Sequence, residues 1–125
     1  MNIVLRLNRT ALIAASTTLV LAALAPRANA QVGFALFRAT VLANATVSTS
    51  NGVVSAVLAT TGTYNVKFTR PINVCSLAAT VNGLAAGQAT AALKAGTTDT
   101  LTVRTFTGAG VLQNRNFDLI VTCGP

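Results

Sequence analysis

Apolar and polar positions alternate with a period of two along much of this chain. In Thr63-Tyr64-Asn65-Val66-Lys67-Phe68, Tyr64, Val66 and Phe68 share one face while Thr63, Asn65 and Lys67 share the other. That is the pattern of a strand with one side in a core and one in water. From Phe117 to Cys123 it recurs, with Phe117, Leu119, Val121 and Cys123 on one face and Asp118 and Thr122 opposite; Ile120 alone breaks the polar side. A third segment, 74–81, puts Cys75, Leu77, Ala79 and Val81 together. Further strands are expected at about 34–43, 45–50, 53–59 and 101–106, because Thr, Val and Ala dominate there between closely spaced turn residues.

The turn signals are Asn51-Gly52, Gly62, Asn82-Gly83 and Gly108-Ala109-Gly110. Asn-Gly between alternating segments predicts a tight hairpin of type I′, which needs positive φ at both central residues. Arg70-Pro71 predicts a turn or an edge position, since proline cannot donate to a central ladder. Segment 84–95 is alanine-rich and reads two ways. Alanine favours a short helix, whereas Gly87 and the alternation of Ala89, Ala91 and Leu93 with Thr90, Ala92 and Lys94 favour a strand, which is the preferred reading.

The first thirty residues follow a different pattern. Arg6 and Arg9 precede an apolar run from Ala11 to Ala25, which ends at Pro26 and is followed by Ala28-Asn29-Ala30. A basic start, a short greasy middle and small residues three and one positions before a cut describe a secretory signal peptide, with cleavage between Ala30 and Gln31. A membrane anchor would need roughly 20 apolar residues; this run is shorter and contains Ser16, Thr17 and Thr18. No cysteine follows the cut to accept a lipid. The expectation is an exported chain, 31–125, that does not span a membrane and ends in the periplasm, at the cell surface or outside the cell.

Those 95 residues make one small domain, with no repeat, linker or charge block. Its two cysteines, Cys75 and Cys123, lie on apolar faces of their segments, and export makes a disulfide their expected state. With 47 residues between them, a bridge crossing the core would add roughly 4 kcal/mol by the chain-entropy argument. The fold expected is all-β: a small antiparallel β-sandwich or barrel-like domain with one disulfide, preceded by a cleavable N-terminal signal helix.

Charge changes with cleavage. The whole chain carries +7, but Arg6, Arg9 and Arg27 leave with the leader; Arg38, Lys67, Arg70, Lys94, Arg104 and Arg115 against Asp99 and Asp118 leave +4. A mild positive surface suits phospholipid, lipopolysaccharide or acidic glycan. The bases are scattered in sequence and no stacking aromatics accompany them, so nucleic acid is not an expected partner.

The run Gly62-Thr63-Tyr64-Asn65-Val66-Lys67-Phe68, then Cys75, Leu77-Ala78-Ala79-Thr80, Val103-Arg104-Thr105-Phe106, Gly110 and Phe117-Asp118-Leu119-Ile120-Val121-Thr122-Cys123 resembles a group of small, uncharacterised bacterial exported β-domains. Their shared pattern is G-x-Y-x-V-x-F, Cys, A-T, V-R-T-F, G, F-x-L-x-V-x-C. The resemblance covers the chain from about Gly52 onward. It implies a β fold and export, and it supplies no catalytic residues. Some members carry collagen-like or other repetitive segments ahead of the domain; here almost nothing stands between leader and domain.

Candidate chemistry is sparse. The chain has no histidine, which removes Ser-His-Asp triads, Cys-His dyads and histidine-bearing metal sites. A carboxylate pair for glycoside hydrolysis would have to be Asp99 and Asp118. Asp99, inside Thr97-Thr98-Asp99-Thr100, is better read as shaping a turn through nearby backbone N–H groups, and Asp118 as a surface partner of Arg104, Lys67 or Arg115. A serine–lysine hydrolase would draw on Lys67 or Lys94 with Ser48, Ser50, Ser55 or Ser76, but it needs a buried lysine. Two acids are too few for calcium, and Gly108-Ala109-Gly110 introduces no helix for a dinucleotide. No cofactor is expected. Asn44-Ala45-Thr46 is a glycosylation sequon only in a eukaryotic pathway, and otherwise an ordinary strand segment.

Among the aromatics Phe34, Phe37, Tyr64, Phe68, Phe106 and Phe117, most belong in the core, Tyr64 with a bonded hydroxyl. Phe34 and Phe37, three apart, would face opposite sides of a strand, leaving one exposed for a subunit contact. The expected function is a non-catalytic exported structural or binding module of the cell envelope or extracellular space. One alternative is a fimbrial-type or trimeric head subunit, a homo-oligomer in which segment 32–50 pairs with a neighbouring chain; another is the serine–lysine hydrolase.

Overall fold

The computed structural model describes residues 34–125. The expected leader, with Ala28, Ala30 and Gln31 at its expected cleavage site, lies outside the described residues. Eight strands follow one another: β1 Ala35–Val41, β2 Val47–Asn51, β3 Val53–Thr60, β4 Thr63–Phe68, β5 Cys75–Val81, β6 Gly87–Leu93, β7 Thr100–Thr107 and β8 Phe117–Cys123. They form two four-stranded antiparallel sheets in a sandwich-like arrangement, ordered β2-β1-β8-β5 and β3-β4-β7-β6. Segment 84–95 resolves as a strand, since β6 pairs with β7 from Gly87 opposite Thr107 to Leu93 opposite Leu101.

The inward faces are those that alternation selects. Phe37, Ala39 and Val41 from β1 and Phe117, Leu119, Val121 and Cys123 from β8 meet Tyr64, Val66 and Phe68 from β4 and Leu101 and Val103 from β7. Ile72, in the connection after β4, joins the same core at 1% exposure. The aromatics meet edge to face across the two sheets, Phe37 with Phe68 at 5.9 Å between centroids and Tyr64 with Phe117 at 4.9 Å. Phe37 is buried while Phe34 is 73% exposed. Arg70, beside Pro71 in the β4–β5 connection, sits 5.9 Å from the centre of the Phe37 ring.

Three expectations are corrected. Neither Asn-Gly pair closes a hairpin. Gly52 carries the chain from β2 in one sheet to β3 in the other, and Asn82-Gly83 begins the crossover from β5 to β6. Gly52 and Gly83 do have positive φ, at 78° and 134°, but Asn51 and Asn82 do not, so no type I′ turn forms. A corner between sheets asks for the same left-handed glycine as a hairpin, and the sequence signal does not distinguish them. The two-residue hairpin is instead Thr61-Gly62, closing β3 on β4. Gly62 there has φ +66°, and a Cβ would stand 2.8 Å from Thr105 O and Gln113 N.

The disulfide forms but does not cross the core. Cys75 of β5 stands directly opposite Cys123 of β8 within one sheet, with Cα atoms 4.3 Å apart. Both side chains point inward, so it lines one face of the core and locks an edge strand to its neighbour.

The sequon is also displaced from a strand. Asn44-Ala45-Thr46 lies in the β1–β2 loop, where Asn44 Oδ1 accepts from Thr46 N at 3.0 Å and Ala45 has φ +68°.

Candidate functional site

Polar side chains of the β7–β8 connection are occupied with backbone. The connection from β7 to β8 must leave one sheet and enter the other, and its polar run Gln113-Asn114-Arg115-Asn116 bonds to both on the way. Gln113 N donates to Thr105 O at 3.1 Å and Gln113 O accepts from the buried Thr105 hydroxyl at 2.6 Å. Asn114 Oδ1 accepts from Gly62 N at 2.6 Å. Arg115 spreads its guanidinium over three carbonyls, Ala86 at 2.6 Å, Ala85 at 2.8 Å and Phe106 at 3.3 Å, tying the β5–β6 crossover to β7. Asn116 Oδ1 accepts from Ala43 N at 2.8 Å, and its carbonyl accepts from Asn82 N.

Tyr64 completes this strap from beneath. Its ring is fully buried, and its hydroxyl donates to Ala43 O at 2.9 Å while accepting from Arg115 N at 3.2 Å. Burial pushes the phenol above its ordinary value, an effect the Arg115 backbone bond partly offsets. Among the described residues no buried side-chain polar atom lacks a partner.

The two acids are kept apart. Asp118 lies on the outer face of the sheet containing β8, where it accepts a hydrogen bond from Thr40 at 2.7 Å in place of the expected Arg104, Lys67 or Arg115. Those three bases belong to the opposite sheet or to the strap, and Thr40 is its ladder neighbour on β1. Asp99 precedes β7 in the other sheet; Thr100 donates its hydroxyl to it at 2.9 Å, and Lys67 Nζ stands 3.9 Å away. Its side chain thus serves a hydroxyl and a cation, where backbone N–H groups were expected.

Of the serine–lysine candidates, the register brings Ser55 directly across from Lys67 on the outer face of β3 and β4. Lys67 is 55% exposed with a carboxylate before it, the surroundings of a solvated cation and unlike the buried base that nucleophile activation requires. Ser48 and Ser50 are exposed on β2 and Ser76 on β5, in the other sheet.

Among the described residues, shallow grooves lie on the outer faces of both sheets. One, about 540 Å³, lies over β2, β1 and β8 and is bordered by Arg38, Thr40, Asn51, Asp118 and Ile120, so its charges are of both signs. The other, about 330 Å³, lies over β6 and β7 between Lys94 and Arg104, with Thr90 and Thr102 on its floor and no acid. Bases scattered in sequence border one groove here because Thr90 pairs with Arg104 across the β6–β7 ladder, four residues or about 13 Å along the strand before Lys94. Sequence reading missed this convergence; the signal was that Thr90, Arg104 and Thr102 all fall on the outward parity of their strands.

The sheet edges are unusual in composition. All four edge strands, β2, β3, β5 and β6, lack any charged residue or proline. Register shifts interrupt the pairing of β2 and β3 with their neighbours, whereas β5 and β6 pair without interruption. Segment 32–50, expected to donate a strand to a neighbour, contributes β1 to the middle of its own sheet between β2 and β8.

Compared with family models, with curated proteins and with solved structures, the chain matches none. The resemblance to small exported β-domains therefore rests on the residues that carry it.

Proposed function

We propose that this chain is an exported, non-catalytic binding module that docks on an anionic component of the cell envelope through the outer face of β6 and β7. The observation that carries the reading is the groove between Lys94 and Arg104, two cations with hydroxyls between them and no carboxylate lining the groove. A groove of one sign attracts phosphate- or carboxylate-bearing surfaces over longer range than a mixed one. Support also comes from the polar groups at and under the β7–β8 connection: Tyr64, Thr105, Asn114, Arg115 and Asn116 hold backbone in place, which suits a durable scaffold. The signal peptide and the Cys75–Cys123 bridge fit an oxidising destination.

Cosedimentation with vesicles tests this. Binding to vesicles containing anionic lipid or lipopolysaccharide is expected to exceed binding to neutral vesicles, to weaken with salt, and to fall at least as far in Lys94→Ala/Arg104→Ala as in a Lys67→Ala control. Equal binding by the double variant and the wild type overturns the assignment of this face.

A second reading, assembly with copies of itself, is favoured by the uncharged edges. Lysine, proline and bulges commonly block edge pairing, and β5 and β6 carry none of them. Ala35 and Cys75 both stand opposite Cys123, so the exposed Phe34 and Val74 that precede them flank the end of β8, roughly 10 Å apart by strand spacing. Removing segment 31–50 would extract a central strand, so substitutions are the sounder test. Concentration-dependent sedimentation that Phe34→Ser/Val74→Ser or Ala78→Lys abolishes supports assembly; a monomer at every concentration sinks it.

A further inference from the structure

We infer that Asn82 is a site of spontaneous succinimide formation and deamidation, and that the fold protects the chemically equivalent Asn51. Both asparagines precede glycine, the neighbour that least hinders attack of the following backbone nitrogen on the side-chain amide. Their surroundings differ. Asn51 is the last residue of β2, paired with Arg38 of β1, and its amide nitrogen donates to Leu36 O at 3.0 Å. The next residue is clamped as well: Gly52 O accepts from Thr69 N at 3.0 Å, and the Phe37 ring fills the space beside Gly52. For Gly52 N to reach the Asn51 side chain, a hydrogen bond must break and the strand end must turn.

Asn82 lies just past β5, exposed, immediately before the bend that starts the crossover to β6. Among the described residues no partner holds its side-chain amide; its only anchor is the backbone bond from its own N–H to Asn116 O at 2.8 Å. Gly83 follows with φ +134° and nothing within 4 Å of where a Cβ would stand, so no neighbour crowds that side of the Asn82–Gly83 link. Downstream, the Arg115 contacts begin at Ala85, leaving Gly83 and Leu84 to move without disturbing them.

The step is an acyl substitution. Gly83 N attacks Cγ of Asn82, the new C–N bond forms as the bond from Cγ to Nδ2 breaks, and the proton lost from Gly83 N leaves with ammonia. Water then opens the imide at either carbonyl, giving aspartate or isoaspartate. Each event adds one negative charge and lowers the +4 of residues 31–125 to +3.

The test is to age the protein, purified as the host processes it, at mildly alkaline pH and then reduce and digest it with trypsin. Cleavage after Arg38, Lys67 and Lys94, with Arg70-Pro71 resisting, places Asn51 and Asn82 in separate peptides, 39–67 and 68–94. Acid and isoaspartyl forms are expected in 68–94, located at Asn82 by fragmentation. Asn51 is expected to convert about tenfold more slowly, since one hydrogen bond must break before attack. In denaturant the two rates should converge, and Asn82→Gln should remove the early acidic species. Equal conversion of both sites in the folded protein, or no conversion at Asn82, overturns the proposal.

Discussion

Replacing Tyr64 by phenylalanine removes a single oxygen from the fully buried ring that supports the strap. The ring itself, 4.9 Å from Phe117 between centroids, keeps its packing, so no cavity larger than that oxygen is left. Two hydrogen bonds disappear, to Ala43 O and from Arg115 N. At about 1 kcal/mol each, with part of the cost returned when the Ala43 carbonyl meets water, the expected loss is about 2 kcal/mol. For a domain of this size that lowers Tm by roughly 10 °C.

The same oxygen makes stability depend on pH. Burial raises the folded-state pKa of Tyr64 above the 10.0 of the unfolded chain, so the folded state holds its proton over a range where the unfolded state has lost it. Stability from this group is complete below pH 10, falls as pH rises above it, and stops falling at the folded pKa. Tyr64 is the only tyrosine and there is no tryptophan, so phenolate absorbance reports on it alone. Urea unfolding followed by circular dichroism at several pH values should show the alkaline decline in the wild type and lose Tyr64's share of it in Tyr64→Phe. A variant within about 0.5 kcal/mol of wild type would refute the claim that this hydroxyl supports the strap.

Further outcomes follow from the same contacts. Cys75→Ala/Cys123→Ala should cost roughly 4 kcal/mol, read by the urea midpoint, since 47 residues lie between the cysteines; a variant equal to the oxidised protein would deny the bridge a structural role. Gly62→Ala forces a Cβ to 2.8 Å from Thr105 O and Gln113 N at φ +66°, and should lower stability by about 3 kcal/mol, against less than about 1 kcal/mol for an alanine at an ordinary exposed strand position. Asp99→Asn removes an ion pair at 3.9 Å whose side chains are 55% and 36% exposed, and should shift the midpoint by no more than about 0.5 kcal/mol.

Strand identity was legible because alternation is a local property. Tyr64, Val66 and Phe68, or Phe117, Leu119 and Val121, announce an inward face without reference to anything distant. Partnership is not local. Nothing near Cys123 says that β8 runs between β1 and β5, so the bridge could be expected, but not its position inside one sheet. The Asn-Gly pairs show the same limit: they signal a left-handed glycine, which a corner at Gly52 and a hairpin at Gly62 both use. Asp118 was correctly placed outward, but its partner depended on which strand lay alongside, and Thr40 of β1 took that place. The strap was legible only as a polar loop, because the acceptors of Arg115 lie 9 to 30 residues away along the chain. For the candidate site, outward parity placed Arg104, but its sharing of one groove with Lys94 needed the β6–β7 register.

We propose that this chain is a secreted, oxidised β scaffold whose function depends on its surface. The intact mass of the protein recovered from the host's periplasm, surface and medium, before and after reduction, decides this. The predicted result is a chain beginning at Gln31, without lipid, that gains two hydrogens on reduction. A full-length chain retained in the cytoplasm with Cys75 and Cys123 as free thiols would contradict it.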